Sequence, residues 1–176
     1  PAFESDVELV VGGAAASLSY IMVPKVESVA DVERAVSCID RAARSTPRQS
    51  PMPLHVLIES PAAVHRAFDI AAHPRVESVS FGLMDFVSAH HGAIPGSAMR
   101  SPGQFSHPLI ARAKCDIAAA ALGSGVVPAH NVTTELNDAD VVREDARRAK
   151  NEFGFLRMWS IHPAQVPVIN EEYGPS

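Results

Sequence analysis

The sequence predicts a parallel α/β chain of the β/α-barrel type, and three observations carry that prediction. Five short apolar runs recur along the 176 residues, amphipathic helical stretches separate them, and most runs end in a polar residue. Strand–helix alternation with right-handed crossovers makes a parallel sheet. In a β/α barrel the chemistry gathers at the C-terminal ends of the strands. Lys25, Glu59, Asp85, His130 and His162 are therefore expected at one rim.

The elements follow in order. Residues from Glu4 to about Ala16 read as a helix that delivers the first strand, Tyr20 to Lys25. Ser28 is placed to cap the next helix, with Asp31 and Glu33 near its positive end. Val29, Val32, Val36, Ile39 and Ala43 keep helical spacing. Ser45 to Pro53 reads as a loop on the opposite rim, followed by the strand Leu54 to Glu59. Pro61 opens a third helix at the position where a missing N–H costs nothing. Val64, Phe68 and Ala71 are its expected buried face, and His73-Pro74 ends it.

The third strand is Val76 to Gly82, with Asp85 just beyond. The long Gly-, Pro-, Ser- and His-bearing segment to Ser106 is expected to be a lid or disordered. An Ala-rich helix from His107 to Leu122 stops at Gly123 and Gly125 and leads to the strand ending at His130. Asp138 opens a charged helix that closes at Phe153-Gly154, and Arg157 to His162 is the last strand. Five strands are too few to close an eight-stranded barrel. The sheet is then either flat and doubly wound, or part of a barrel whose remainder lies outside this chain.

Composition narrows the function. A net charge of −5 with no basic stripe argues against nucleic acid as a partner. The apolar stretch from Val7 to Val23 is interrupted by Glu8 and small polar residues and is too mixed for a membrane span. Cys38 and Cys115 lack metal-ligand spacing and are expected to be buried thiols, which fits a reducing cytoplasm. Pro1 in place of Met points to a chain that continues upstream.

Glu59 and Asp85 are the sharpest pair. Two carboxylates on neighbouring strand ends can hold one hard divalent cation, since Mg²⁺ takes one or two protein carboxylates and completes its shell with water and substrate oxygens. The competing reading makes them caps of the following helices. Lys25 stands at a helix start, the wrong end for a cation, which points to a partner: Glu27 or an anionic substrate. His162-Pro163 after the last strand forms an extended turn, and its ring either meets a ligand or lies at the surface. His90 and His91 read as solvent-exposed. No nucleophile elbow and no glycine-rich phosphate loop occurs.

Taken together, Pro24-Lys-Val-Glu27, Leu57-Ile-Glu-Ser-Pro61, Phe81-Gly-Leu-Met-Asp85 and Ile161-His-Pro-Ala-Gln165 resemble the HpcH/HpaI aldolase and citrate lyase β-subunit family over about Val10 to Asn170. The resemblance implies a TIM (β/α)8 barrel of which this chain, one domain over residues 1–176, supplies about strands four to eight. It implies that Glu59 and Asp85 bind Mg²⁺ and that Lys25, Glu27, His162 and Pro163 contact substrate. The implied activity is carbon–carbon cleavage of a citryl-CoA- or malyl-CoA-like thioester. A pyruvate-type aldolase and a non-catalytic partner subunit are the alternatives. The implied partners are an acyl-CoA or keto acid, and a homo-oligomer or a complementing N-terminal segment. Arg157-Met158 stands where the family has Gly-Lys, His130 where it has an Asp, and Ser60 where it has a Thr.

Overall fold

The computed structural model describes residues 2–45 and 50–174. Five parallel strands, β1 (Ile21–Val23), β2 (Leu54–Ile58), β3 (Val76–Phe81), β4 (Val127–His130) and β5 (Arg157–Met158), pair in the order in which they occur in the chain. A doubly wound sheet would reverse that order. The helices α1 (Ala2–Ala14), α2 (Val29–Ala42), α4 (Ala67–Ala71), α7 (Pro108–Gly123) and α8 (Ala139–Phe153) pack against one another in succession along one face of the sheet. The fold is thus the arc of a β/α barrel, with β1 and β5 as its edges. The edge strands are shorter than the sequence predicts, because each has a ladder partner on one side alone.

Strand alternation divides the sheet into two faces. Leu54, Val56 and Ile58 of β2 and Val79 and Phe81 of β3 are buried in one apolar cluster with Ile39, Ile70 and Ile117 from the helices. His55, Ser78 and Ser80 occupy the concave face. Between Leu54 and His55 the β2–β3 register slips, so Glu77 is an extra residue opposite β2.

Several helical expectations hold and several shift. Ser60 accepts a hydrogen bond from the Ala63 N–H at 3.0 Å and caps α3 (Pro61–His65), with Pro61 in the first position. The helix breaks at Arg66 before α4, which turns Phe68 outward (54% exposed) and buries Ala67 and Ile70 instead. Ser28 flanks α2, but its hydroxyl donates to Asp31 rather than capping the backbone. Asp138 caps α8 through the N–H groups of Asp140 and Val141, and Gly154, at φ 77°, ends it. Cys115 is exposed on α7 and only Cys38 is buried, a correction to the expected pair of buried thiols.

The segment after Asp85 is neither an open lid nor shapeless. It holds α5 (Leu83–Ser88), a 3₁₀ turn at Gly96–Met99 and α6 (Gly103–Ser106), and it buries Ile94, Gln104 and Phe105. A last helix, α9 (Gln165–Tyr173), packs on α8. The expected loop from Ser45 to Pro53 lies partly outside the described residues. Among the described residues no helix is long and apolar enough to cross a membrane.

Candidate metal centre

Parallel β2 and β3 bring Glu59 and Asp85 together at one end of the sheet. Glu59 follows the last residue of β2, and Asp85 lies in the first turn of α5. Neither carboxylate caps a helix: Ser60 does so for α3, and the N-cap of α5 is Gly82. Glu59 is 7% exposed and Asp85 is exposed, so one carboxylate is anchored and the other faces the opening. Gly82 makes the approach possible, since a Cβ there would meet the Glu59 Cβ at 2.5 Å and its Oε2 at 2.7 Å.

Lys25 closes the group from the neighbouring strand end. Its left-handed backbone (φ 54°) aims the Lys25 N–H at Glu59 Oε1 at 2.6 Å, and its ammonium lies 3.2 Å from Asp85 Oδ1. Burial raises the Glu59 carboxyl, opposed by the Lys25 N–H and reinforced by the Asp85 carboxylate. Asp85 is held low, first by its hydrogen bond with Glu59 and then by Lys25. The two carboxyls are thus pushed in opposite directions, as two neighbouring acids that share one proton are. Among the described residues no cluster of three His, Cys, Asp or Glu side chains forms. Two carboxylates with room for water and substrate oxygens suit Mg²⁺.

Beside the pair lies a pocket of about 270 Å³, walled by Met22, Leu57, Leu83, Met99, Val132 and Trp159. It adjoins a second cavity of about 400 Å³ through Thr134, which lines both, and Arg100 and Glu135 line the second.

The other rim candidates part company with this group. His130 does not reach the rim: it is fully buried among the helices, stacked on Phe105 at 5.3 Å and edge-on to Phe155 at 5.0 Å. The cause is strand alternation, because His130 falls on the convex phase of β4 while Ala129 faces inward. Its Nδ1 lies 2.9 Å from the Asn131 carbonyl, which can only accept, so Nε2 accepts from Lys114 Nζ at 2.6 Å. Burial holds both groups below their ordinary values.

Lys114 also donates to Gln104, which takes a hydrogen bond from Asn131, and Asp145 accepts from Ser101, Gln104 and Thr133. This buried network pins the loop after β4, whose Asn131, Val132 and Thr134 line the pocket beside the carboxylate pair. His162 and Pro163 are exposed beyond β5 and do not line that pocket. Within the same motif it is Gln165 that braces the pinned loop, by donating to the carbonyls of Thr133 and Glu135. Glu27 is exposed, and its N–H donates to Asp31. His90, half-buried on α5's far side, bonds the Phe86 carbonyl.

Trp159 and Asn131 are site residues that the sequence reading passed over. Period two from Arg157 puts Trp159 on the concave face, a signal present in the sequence. Asn131 carries no such signal, since its place depends on the loop network.

Comparison with known proteins identifies the family and the fold. The family model described as HpcH/HpaI aldolase/citrate lyase matches residues 1–163. An L-malyl-CoA/β-methylmalyl-CoA lyase of Cereibacter sphaeroides is 31% identical over 100% of this chain and 58% of its own length. The crystal structure of a citrate lyase from Burkholderia xenovorans superposes with a TM-score of 0.94 at 51% identity, covering 98% of this chain and 54% of that one. Protein CitE from Mycobacterium tuberculosis, crystallised with magnesium, acetoacetate and coenzyme A, gives 0.72 at 25% identity over 91% of this chain and 53% of its own. The chain thus spans a little over half the length of these relatives.

Proposed function

The chain belongs to the HpcH/HpaI aldolase/citrate lyase family, and on that premise we propose that the protein is a Mg²⁺-dependent carbon–carbon lyase acting on a CoA thioester of malyl or citryl type. One observation carries the reading: Glu59 and Asp85 converge from adjacent strand ends beside an open-sided apolar pocket, with the Lys25 N–H orienting the buried carboxylate. The magnesium, acetoacetate and coenzyme A bound by the Mycobacterium protein support the metal and the substrate class.

Bound to the two carboxylates, Mg²⁺ would supply Lewis-acid stabilisation for an alkoxide at the bond being cleaved. This chain's own residues do the rest. Glu59 is held in one orientation by the Lys25 N–H, and the apolar side chains beside it lower the local polarity, which strengthens the polar contacts made there. The Lys25 ammonium, beside Asp85, adds positive charge at the mouth where an anionic substrate enters. Substrate contacts by Glu27, His162 and Pro163 are not supported by their positions, which leaves Lys25 as the substrate-facing residue of the four.

The two open edges β1 and β5, with Tyr20 and Met22 about two-fifths exposed beside β1, support closure by a complementing segment or a second copy. Thiols at Cys38 and Cys115 accord with a reducing cytoplasm. An intact carboxylate pair, and the glycine that makes room for it, favour catalysis over a purely structural subunit. The test is Mg²⁺ calorimetry on the protein and its Glu59→Gln variant, followed by thioester cleavage assays on malyl-CoA and citryl-CoA. Binding that disappears in the variant and cleavage that follows it support the reading; Mg²⁺ binding unchanged by the variant overturns it.

A further inference from the structure

The buried network behind β4 also decides which end of the Asn131 amide faces the pocket. Gln104 sits at its centre. The Asp145 carboxyl, which already accepts from Ser101 and Thr133, accepts from Gln104 Nε2 at 2.9 Å. Lys114 Nζ, which donates to His130, donates to Gln104 Oε1 at 3.1 Å. Reversing the Gln104 amide would set its oxygen on the carboxyl and its NH₂ on the amine, two mismatched contacts. Gln104 Oε1 is therefore an acceptor, and the Asn131 atom 2.8 Å from it is the donor Nδ2. The second Nδ2 hydrogen goes to the Val132 carbonyl at 2.8 Å. With both hydrogens given to fixed acceptors, the Asn131 amide has one orientation.

Gln104 does not line the pocket beside the carboxylate pair, whereas Asn131 lines it together with Glu59 and Asp85. Nδ2 is thus turned away to Gln104, and Oδ1 is the polar atom left to the pocket. Asn131 is 3% exposed, and its Oδ1 is buried without a hydrogen-bond partner among the described residues. An amide oxygen so placed can only accept, and leaving it unmatched is costly. The strands β3 and β5 on either side of β4, and the helices α6, α7 and α8 behind it, all belong to this chain. They set the aim of the amide. A keto or carboxylate oxygen offers Oδ1 no hydrogen. A hydroxyl does.

We propose that Asn131, aimed by Gln104, is a specificity-determining residue of the pocket, and that its Oδ1 accepts a hydrogen bond from the hydroxyl on the carbon whose bond is cleaved. That group is a hydroxyl in the hydroxyacyl substrate and a keto oxygen in the product, so the contact favours the hydroxy form. The amide oxygen orients the O–H and does not remove its proton. The inference rests on the lyase reading for the identity of the hydroxyl, while the direction of the amide stands on its own geometry. Gln104 is a positioning residue, acting through Asn131.

The test titrates the full-length protein by calorimetry, with and without Mg²⁺, using two matched pairs: L-lactate against pyruvate, and L-malate against oxaloacetate. Within each pair only the hydroxyl and keto groups differ. Asn131→Leu is expected to lower the hydroxy-to-keto affinity ratio of both pairs by roughly three- to tenfold, the share of one hydrogen bond, at unchanged Mg²⁺ affinity. Gln104→Met leaves Asn131 in place but frees its amide to turn, and should lower the ratio by a smaller factor. A loss of packing alone would weaken both members of a pair equally and leave the ratio intact. Ratios that neither variant moves would overturn the proposal, as would a wild type that binds neither hydroxy acid. A fall in the variant's Mg²⁺ affinity measured without the acids would also overturn it, by assigning the accepted hydrogen to metal-bound water. A protein that binds no Mg²⁺ would sink the lyase reading, and the ratio read without metal would still judge Asn131.

Discussion

Gly82 and Glu59 approach so closely that a single methyl group would collide: a Cβ on Gly82 would stand 2.5 Å from the Glu59 Cβ. The glycine follows β3 and the glutamate follows β2, whose last residues Phe81 and Ile58 are paired, so the parallel register puts them side by side. Gly82 is therefore required by its neighbour's side chain, since its own backbone angles, φ −92° and ψ 79°, lie on the negative-φ side open to other residues.

Gly82→Ala is accordingly expected to displace the Glu59 side chain. Overpacking of this kind costs about 1–3 kcal/mol, and Mg²⁺ affinity should fall along with the melting temperature. Calorimetry and thermal melting on the same preparation check both. A variant that melts lower but binds Mg²⁺ as before would show that Glu59 has moved without being a ligand.

Asp85→Asn separates function from fold in the opposite way. Asp85 is exposed and its pairing with Lys25 is a surface contact, which solvent screening leaves weak. Stability should hardly change, while Mg²⁺ binding weakens strongly. Retained metal affinity would remove Asp85 from the site.

Ile58→Ala acts through the core alone. Ile58 is fully buried one residue before Glu59, and truncation at such a site costs about 2–5 kcal/mol. Denaturant unfolding measures it. A loss below about 1 kcal/mol would mean that the helix layer collapses onto the gap.

Acid should weaken the fold through His55. Burial, its largest influence, holds the ring down to about 4, opposed by Glu77 and assisted by Arg157. The folded state keeps the ring neutral, while the unfolded chain takes up a proton near the ordinary value of about 6.5. Stability from this group is therefore complete above that value, declines as pH falls towards 4, and levels off below, by up to about 3 kcal/mol in all. His55→Gln, which keeps a donor and an acceptor but does not titrate, should flatten the acid limb of a stability–pH curve relative to the wild type. Parallel curves for the two proteins would refute the assignment.

Much of this molecule was legible in its linear order. Alternation of strand and helix, Pro61 and Asp138 at helix starts, Gly154 at a helix end and the strand-end carboxylates Glu59 and Asp85 are local features, set by backbone sterics and by period-two burial. The sequential strand order was also implied, since helical crossovers of one hand leave few other parallel arrangements. What the tertiary structure alone decided was which way each polar side chain faces and what it meets. His130 reads like a rim residue, yet its phase on β4 sends it outward to Lys114 and Phe105. Gln165 rather than His162 ties the last motif to the loop after β4, because a glutamine can bridge two of that loop's carbonyls. Trp159 meets Ser80, 79 residues away in the chain, only once their strands share the concave face. Periodicity assigns a residue to a face, but a hydrogen-bond partner distant in sequence is found only when the strands are brought side by side.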